Sequence, residues 1–382
     1  MWKRILAALL ALGLLAVCLP VAAAAGPEID APSAILIDAA TGTVLFEKNA
    51  NERLRPASVT KVMTLLLVME ALASGRIGWD DMVITSEAAA AKGGSQVYLE
   101  PGEQMSMDEM LKSVVVSSAN DCATALAEHV SGSESAFVDR MNQRAAELGL
   151  KDTHFVNCTG LDDDPEAAEH LTTAHDLAVI SRELLKHKEI KKYTTIWMDT
   201  VRGGRFGLAN TNKLVRFYEG TTGLKTGYTS AAGHCLAASA ERDGIELIAV
   251  VLHCKSSPER FESAKALLNY GFANYALVSA EPPEPISPVR VRLGEKSLIQ
   301  PELQESAPIL IEKELQSGIV KKITVDLEVE APVQAGQQLG EMTVSSGDKT
   351  LARIPIVAPE TVEKLTWWEL TVRLLRRICM GE

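Results

Sequence analysis

Alternating hydrophobic and polar positions, the pattern typical of β-strands, occur near the start and near the end of residues 26–278. Residues 34–37 and 44–46 alternate on either side of a turn-rich segment that ends at Gly42, which predicts a β-hairpin. Three more strand patterns come late, with Asp243 and Gly244 joining the last two: residues 224–229, 235–240 and 245–252. We expect these early and late strands to complete one antiparallel sheet.

Helical patterns fill the interval between the two groups of strands. Residues 59–72 are apolar on every side, which predicts a buried helix, and Ser106 with Glu109 forms a capping box for a helix through Val116. Further helical patterns cover residues 121–130, residues 145–185 around an acidic loop at 162–165, and residues 257–276, where Ser257 is the expected cap and Pro258 the first helical residue. The fold class is therefore α+β over residues 26–278.

A second, smaller domain follows a proline-rich linker at residues 279–288. Alternation at residues 323–330, and a turn at Gly347 that leads into a strand ending near Val357, predict an all-β sandwich over residues 289–358. It carries no recognisable chemistry, so we expect a spacer or docking module.

The last segment, residues 359–382, has the pattern of an amphipathic helix. At 100° per residue, one broad face carries Trp367, Trp368 and several aliphatic side chains, and the other carries acidic and basic residues. Paired tryptophans with basic residues near the end are typical of a helix lying in a membrane interface, and the segment is too polar to span. The alternative is a helix that packs on its own β-domain or on a partner.

Residues 1–25 resemble a cleaved secretory signal. Lys3 and Arg4 precede an apolar run, and small residues end it at Ala25. An uncleaved transmembrane anchor is the alternative, disfavoured by Pro20 and the alanine run, and a lipoprotein signal at Cys18 lacks the small residue that normally precedes the cysteine.

Composition narrows the function classes. The 382 residues include 47% hydrophobic and 23% charged side chains, so the chain can bury more than one core, and its net charge of −12 argues against nucleic acid as a partner. Past the signal, five cysteines without clustered spacing predict no disulfide framework. His234–Cys235 and His253–Cys254 lack the close spacing of structural zinc ligands, so we expect neither a metal nor a cofactor.

Three short motifs occur in an order that suggests nucleophilic catalysis. They are Ser58-Val59-Thr60-Lys61, Ser118-Ala119-Asn120 and Lys225-Thr226-Gly227. Each is weak alone, but the trio, with an aspartate in place of this alanine, characterises penicillin-binding proteins and class A β-lactamases.

The first motif places a serine and a lysine one helical turn apart. Ser58 starts the buried helix, so the helix N-terminus faces any oxyanion formed on its acyl group. Lys61, among apolar neighbours, is expected to be desolvated and neutral, and so to act as the general base. A capping serine and a snorkelling lysine are the alternative.

The other two motifs supply proton transfer and binding groups. We expect Ser118 to relay a proton between Lys61 and the leaving amine, and Asn120 to hold the substrate amide, while Asp121 is expected to be a helix cap. On a strand at the cleft edge, Lys225 and Thr226 would bind a terminal carboxylate, Gly227 would leave room for a peptide, and the N–H of Tyr228 would be the second oxyanion donor.

With these motifs in place, the sequence resembles the serine D-Ala-D-Ala carboxypeptidases among the low-molecular-mass penicillin-binding proteins, over essentially its whole length. The likeness extends to residues 55–58, 98–103, 223–229 and 331–337. It implies a penicillin-binding transpeptidase-like domain, then a small β-sandwich and an amphipathic anchor. It also implies a peptidoglycan pentapeptide substrate, β-lactams as covalent inhibitors, a place on the outer face of the cytoplasmic membrane, and Arg260 as a secondary substrate contact. Two departures, His175 and Ala119, remove no catalytic group.

Two other functions remain open at the level of sequence. A class A β-lactamase needs a glutamate after the middle motif, and Glu166 and Glu169 lie at a suitable distance, but the terminal β-domain and anchor have no use in such an enzyme. A catalytically weak muropeptide-binding scaffold is the second, against which the intact motifs argue.

Overall fold

The computed structural model of the protein describes residues 26–305 and 307–380, so the predicted signal, residues 1–25, lies outside the described residues. The described chain divides into two compact units. The first contains the residues up to Ala240 together with Ile248–Tyr270, and the second contains Glu241–Leu247 and the residues from Gly271 onward.

The first unit is built on a sheet with the strand order β2-β1-β9-β8-β7. Its strands and those of two small hairpins, β3–β4 and β5–β6, are β1 (Ser33–Asp38), β2 (Val44–Lys48), β3 (Met82–Ile84), β4 (Gln104–Ser106), β5 (Met198–Val201), β6 (Phe206–Ala209), β7 (Thr221–Thr229), β8 (Gly233–Arg242) and β9 (Ile245–Cys254). All six residues of β1 are buried, as expected for an inner strand covered on both faces. The predicted early hairpin and late strands are confirmed.

Helices of the first unit form the layer that carries much of the core. They are α1 (Lys61–Ala73), α2 (Glu87–Ala90), α3 (Met107–Val116), α4 (Asn120–Ser131), α5 (Glu134–Glu147), α6 (Ala174–Lys186), α7 (Lys191–Thr194), α8 (Leu214–Phe217) and α9 (Ser257–Asn274), whose end from Gly271 onward belongs to the second unit. Every residue of α1 except Glu70 and Ala73 is buried, and the helix packs against α4 and α6. The prediction of a helix apolar on all sides and fully enclosed is confirmed.

Several predicted helix bounds were wrong. The helix expected over residues 59–72 begins only at Lys61, because residues 57–60 form a 3₁₀ turn. Residues 148–173 are mostly irregular rather than helical, with one 3₁₀ turn at Pro165–Glu169. Gly149 and Gly160 have φ angles of 77° and 81°, and no residue in a right-handed helix adopts these.

Two capping predictions have different outcomes. At α3, the Ser106 hydroxyl accepts a hydrogen bond from the N–H of Glu109, which confirms the predicted cap. At α9, the N–H of Glu259 donates instead to the hydroxyl of Ser256, one residue before the predicted cap Ser257. The error is one residue, because either serine could reach the free N–H groups of the first turn.

The second unit is a small all-β module, as predicted. Its strands are β10 (Tyr275–Val278), β11 (Val289–Arg292), β12 (Leu298–Ile299), β13 (Glu302–Leu303), β14 (Ile309–Glu312), β15 (Ile319–Val325), β16 (Glu328–Glu330), β17 (Gln338–Ser346) and β18 (Lys349–Val357). They form sheets with the orders β12-β11-β16, β13-β18-β17-β15 and β10-β14. The alternation at residues 323–330 is divided between two sheets, because the chain turns at Leu327, which is 91% exposed.

The proline-rich stretch has packing partners within this second unit. Ala280 and Ile286 are buried in one apolar cluster with Met342 and Ile356. Strand β10, which precedes the stretch, pairs with β14. The domain limits given from sequence, with a linker at residues 279–288, stay a prediction.

The terminal helix, α10 (Trp367–Met380), begins later than residue 360. Val362 pairs with Val333 and is buried in the core of the β-module, which holds the chain extended before the helix. Thr366 and Glu369 then form a reciprocal capping box. Among the described residues, no helix is both long and apolar enough to cross a membrane.

Candidate active site

The Ser58 side chain lies beside the amine of Lys61. Ser58 is in the 3₁₀ turn Ala57–Thr60, and Lys61 is the first residue of α1. The Lys61 Nζ is 3.0 Å from the Ser58 Oγ and donates to the carbonyl of Thr159 at 2.8 Å. The turn therefore brings a hydroxyl and an amine, three residues apart, into direct hydrogen-bond contact.

Burial lowers the pKa of the Lys61 amine into the range that suits a general base. Lys61 has no exposed surface, and desolvation lowers its pKa to about 7, although the nearby Asp121 carboxylate acts in the opposite direction. About half of the Lys61 amines are then neutral near pH 7, with a lone pair available for the Ser58 proton. A general base works best with a pKa close to the working pH.

Strand β7 lies directly against the Ser58 turn because Gly227 has no side chain. A Cβ at Gly227 would lie 2.6 Å from the Pro56 carbonyl oxygen and 3.0 Å from the Val59 nitrogen. The sequence interpretation assigned Gly227 to the room needed by a bound peptide. The structure shows that the space above Gly227 is already filled by the turn that carries Ser58, so this glycine allows the first and third motifs to lie in contact.

The middle motif lies between α3 and α4. Ser118 is 4% exposed and has a φ of 64°, a conformation that non-glycine residues adopt rarely and that often marks a functional site. Asn120 donates from Nδ2 to the Gly93 carbonyl at 2.7 Å. Its buried Oδ1 has no hydrogen-bond partner within the described part of the chain, and a substrate N–H would satisfy it.

The expected capping role of Asp121 was wrong. The N-cap position of α4 is Ala119, and Asp121 is a buried residue inside the helix. Its carboxylate accepts from the N–H groups of Val97 and Leu99, at 3.1 Å each. Asp121 thus holds the loop between α2 and β4 against the start of α4, because a carboxylate is a strong acceptor for backbone N–H groups.

The Lys225 amine is buried rather than displayed on the surface. It is 1% exposed and donates to the carbonyl of Thr226 at 3.0 Å. Its pKa lies well below the usual value, mainly because burial disfavours the charged amine and also because the positive charges of Lys61 and Arg260 are near. The Thr226 hydroxyl, 5% exposed, donates to the hydroxyl of Thr211 at 2.7 Å.

The remaining two predicted residues differ in exposure. Tyr228 is 58% exposed, and its ring stacks on His234 with centroids 4.3 Å apart. Arg260 is 8% exposed and donates to the carbonyls of Gly227 at 2.9 Å and Cys235 at 3.4 Å. Arg260 therefore contacts β7 and β8 through their backbone.

Three site residues were missed from sequence. Thr159 accepts the second bond of Lys61, and Asn157 shapes that loop by accepting from the N–H groups of Thr159 and Gly160. An asparagine followed three residues later by glycine was an available turn signal. Thr211, 15 residues before Thr226, belongs to no motif and gave no signal.

The described residues hold no group of three or more His, Cys, Asp or Glu side chains that could bind a metal ion. The cysteines after residue 25 are free thiols: Cys122, Cys158, Cys235 and Cys254 are buried, and Cys379 is exposed. Burial raises the pKa of the Cys235 thiol to about 11, so it stays protonated near neutral pH.

A serine in hydrogen-bond contact with a buried lysine, a Ser-x-Asn loop and a Lys-Thr-Gly strand define a serine acyl-transferase site of the penicillin-binding type. Residues 20–256 match the family model described as D-alanyl-D-alanine carboxypeptidase, and residues 280–364 match the C-terminal domain of penicillin-binding protein 5. The chain belongs to the D-alanyl-D-alanine carboxypeptidase family and is a serine-type D-Ala-D-Ala carboxypeptidase.

Individual relatives agree with this assignment. The chain is 42% identical over 340 residues to the D-alanyl-D-alanine carboxypeptidase DacF of Bacillus subtilis, which covers 88% of this chain and 86% of the relative. It is 33% identical to DacC of Escherichia coli, with 88% and 86% coverage. Penicillin-binding protein 5 of Haemophilus influenzae has a similar structure, with a TM-score of 0.77, 32% identity, and coverage of 88% of this chain and 99% of that one.

Proposed function

We propose that the enzyme removes the terminal D-alanine from peptidoglycan pentapeptides through an acyl-enzyme on Ser58. The observation that carries this proposal is the 3.0 Å contact between the Ser58 Oγ and the buried Lys61 amine, whose pKa is about 7. A hydroxyl is a weak nucleophile at neutral pH, and an adjacent neutral amine removes its proton as the new bond forms.

In the acylation step, the Ser58 Oγ attacks the carbonyl carbon of the penultimate D-alanine while Lys61 takes the hydroxyl proton. The N–H groups of Ser58 and Tyr228 stabilise the oxyanion. The C–N bond then breaks, and Ser118 relays the proton from Lys61 to the amine of the departing D-alanine. In deacylation, Lys61 takes a proton from water as the water oxygen attacks the ester carbonyl. The ester C–O bond then breaks, and Lys61 returns this proton to the Ser58 Oγ.

Asn120, Lys225 and Thr226 bind the substrate in this scheme. The unpartnered Asn120 Oδ1 accepts from a peptide N–H. The hydroxyl of Thr226 reaches the terminal carboxylate by exchanging its bond to Thr211, while the buried Lys225 supplies positive potential behind it. A bound substrate carboxylate would favour the charged form of Lys225.

β-Lactams are covalent inhibitors in this proposal. A strained β-lactam offers the same attackable carbonyl as the acyl-D-Ala-D-Ala unit, and its leaving group remains tethered after the ring opens, where it blocks the water. Acylation of Ser58 is therefore fast relative to release. A β-lactamase would instead turn the antibiotic over.

The terminal helix α10 is proposed to hold the exported enzyme on the outer face of the cytoplasmic membrane. Its apolar side chains are uncovered: Trp367 is 86% exposed and Ile378 is 78% exposed. Exposed tryptophans on an amphipathic helix fit the boundary between headgroups and acyl chains. The β-module, residues 289–358, then serves as a spacer, and residues 1–25 serve as the cleaved export signal.

Release of D-alanine from a cell-wall pentapeptide tests the mechanism. Purified protein lacking residues 1–25 should release it, and the Ser58→Ala variant should release none and take up no penicillin. Mass spectrometry of the penicillin adduct should place the label on Ser58. A label on another residue, or full activity of Ser58→Ala, contradicts the proposed mechanism.

A further inference from the structure

The residue before the nucleophile has an unusual backbone conformation. Ala57 is buried and has a φ of 49°, in the left-handed region that L-residues with a Cβ rarely occupy. Such conformations persist where surrounding contacts hold them in place. Since Ala57 immediately precedes Ser58, whatever holds the Ala57 peptide also sets the position of the Ser58 hydroxyl.

A chain of three hydrogen bonds ends on the Ala57 carbonyl. The N–H of Val156 donates to the Nδ1 of His170 at 3.2 Å, so Nδ1 carries no proton and the neutral ring has its proton on Nε2. The Nε2 of His170 is 2.8 Å from the Thr60 hydroxyl and donates to it. The Thr60 hydroxyl donates in turn to the Ala57 carbonyl at 2.8 Å.

The chain of bonds has one direction and is shielded from water. Thr60 is fully buried and His170 is 3% exposed. Burial, together with the nearby His154 and Arg55, lowers the pKa of His170 to about 4, so the ring is neutral at the pH where Lys61 is a base. A protonated ring would place an N–H at Nδ1 against the N–H of Val156.

The loop that contacts the base packs against the same bonds. A Cβ on Gly160 would lie 1.9 Å from the Ala57 carbonyl oxygen and 2.7 Å from the Thr60 Oγ1. The preceding residue, Thr159, accepts from Lys61. One short segment therefore touches both the carbonyl that orients Ser58 and the amine that deprotonates it.

We propose that Thr60 and His170 are positioning residues that hold the Ser58 hydroxyl in line with Lys61 through the Ala57 carbonyl. This inference rests on the proposed role of Ser58. Neither side chain touches the substrate. Their effect falls on the rate of acylation, because an error of about 1 Å in the position of a nucleophile costs roughly 100-fold in rate.

The test compares two matched substitutions at Thr60. Thr60→Val keeps the shape and removes the hydroxyl, whereas Thr60→Ser keeps the hydroxyl. With a fluorescent penicillin, Thr60→Val should lower the acylation rate at saturation about 10- to 100-fold and change the half-saturating concentration less than about threefold. The acylation rate of Thr60→Ser should stay within about threefold of that of the parent protein. The pH dependence of the acylation rate should have the same midpoint in the parent protein and in both variants.

Other outcomes overturn the proposal. Acylation of Thr60→Val at the parent rate, an equal loss in Thr60→Ser, or a loss confined to the half-saturating concentration would each do so. If Thr60→Val does not fold, His170→Gln, which keeps an N–H donor, should acylate faster than His170→Leu, and equal rates refute the idea. A parent protein labelled away from Ser58 would instead refute the nucleophile assignment.

Discussion

The guanidinium of Arg260 donates a hydrogen bond to the Gly227 carbonyl, with 2.9 Å between nitrogen and oxygen. Gly227 is also the residue whose missing side chain lets β7 lie against the Ser58 turn. The family resemblance implied that Arg260 contacts substrate. Its burial and its bonds to two backbone carbonyls favour a role in holding β7 at the correct distance from Ser58.

Replacing Arg260 should therefore cost stability as well as activity. Arg260→Ala leaves the carbonyls of Gly227 and Cys235 without their charged donor, and we expect the free energy of unfolding to fall by about 2–4 kcal/mol. Denaturant unfolding measures this, with Arg53→Ala at an exposed position as the control. Unchanged stability with a raised KM for the pentapeptide would instead support direct substrate contact.

The rate of penicillin acylation should rise with pH through about 7. The Lys61 amine must be neutral to accept the Ser58 proton, and burial lowers its pKa to about that value. Lys61→Ala should lose about 10²- to 10⁴-fold in rate, together with this pH dependence. An acylation rate that is flat between pH 5 and 9 in the parent protein would contradict the assignment of Lys61 as the base.

The same lysine should make stability depend on pH. Its folded pKa is about 7 and its ordinary pKa is 10.5, so between these values the unfolded chain binds more protons and stability rises with pH. Below pH 7 both states are protonated and the cost of burying the charge is constant. Relative to Lys61→Met, the parent protein should gain on the order of 2–4 kcal/mol in unfolding free energy from pH 7 to 10. A constant difference between the two proteins would show that the buried amine does not titrate in this range.

Sequence reasoning succeeded where a local pattern determines a local structure. The predominantly apolar stretch after Ser58 predicted an enclosed helix, and Ser106 with Glu109 fixed the start of α3. It failed where distant segments determine the conformation. Thr159 and Thr211 reach the site through folding of the whole unit, and the extended chain before α10 depends on the pairing of Val362 with Val333. No period in the sequence encodes these contacts.

Alanine substitutions at two glycines with nearly the same backbone conformation distinguish the cost of backbone strain from the cost of a steric clash. Gly160 and Gly149 have φ angles of 81° and 77°, but a Cβ would clash with the Ala57 carbonyl only at Gly160. Gly149→Ala should cost about 1 kcal/mol from the backbone alone. Gly160→Ala should cost more than about 3 kcal/mol or prevent folding, and any folded protein should acylate slowly. Thermal unfolding and penicillin labelling measure both effects, and equal behaviour of the two variants would refute the close contact between Gly160 and the Ala57 carbonyl.

Removal of α10 should release active enzyme from membranes, provided that the truncation leaves the core of the β-module intact. A cut at residue 360 would also remove Val362, which is buried in the core of that module, so the chain should end after Thr366. The shortened protein should sediment no more with anionic phospholipid vesicles than a soluble control protein, while its kcat/KM on a soluble pentapeptide stays within about threefold.

Substituting Ser for both Trp367 and Trp368 should weaken vesicle binding by about 10-fold or more without shortening the chain, because interfacial binding scales with buried apolar area. Glu363→Gln, in the extended segment before the helix, is the matched control and should bind as the parent protein does. Vesicle binding that survives the loss of residues 367–382 would place the membrane contact elsewhere on the protein.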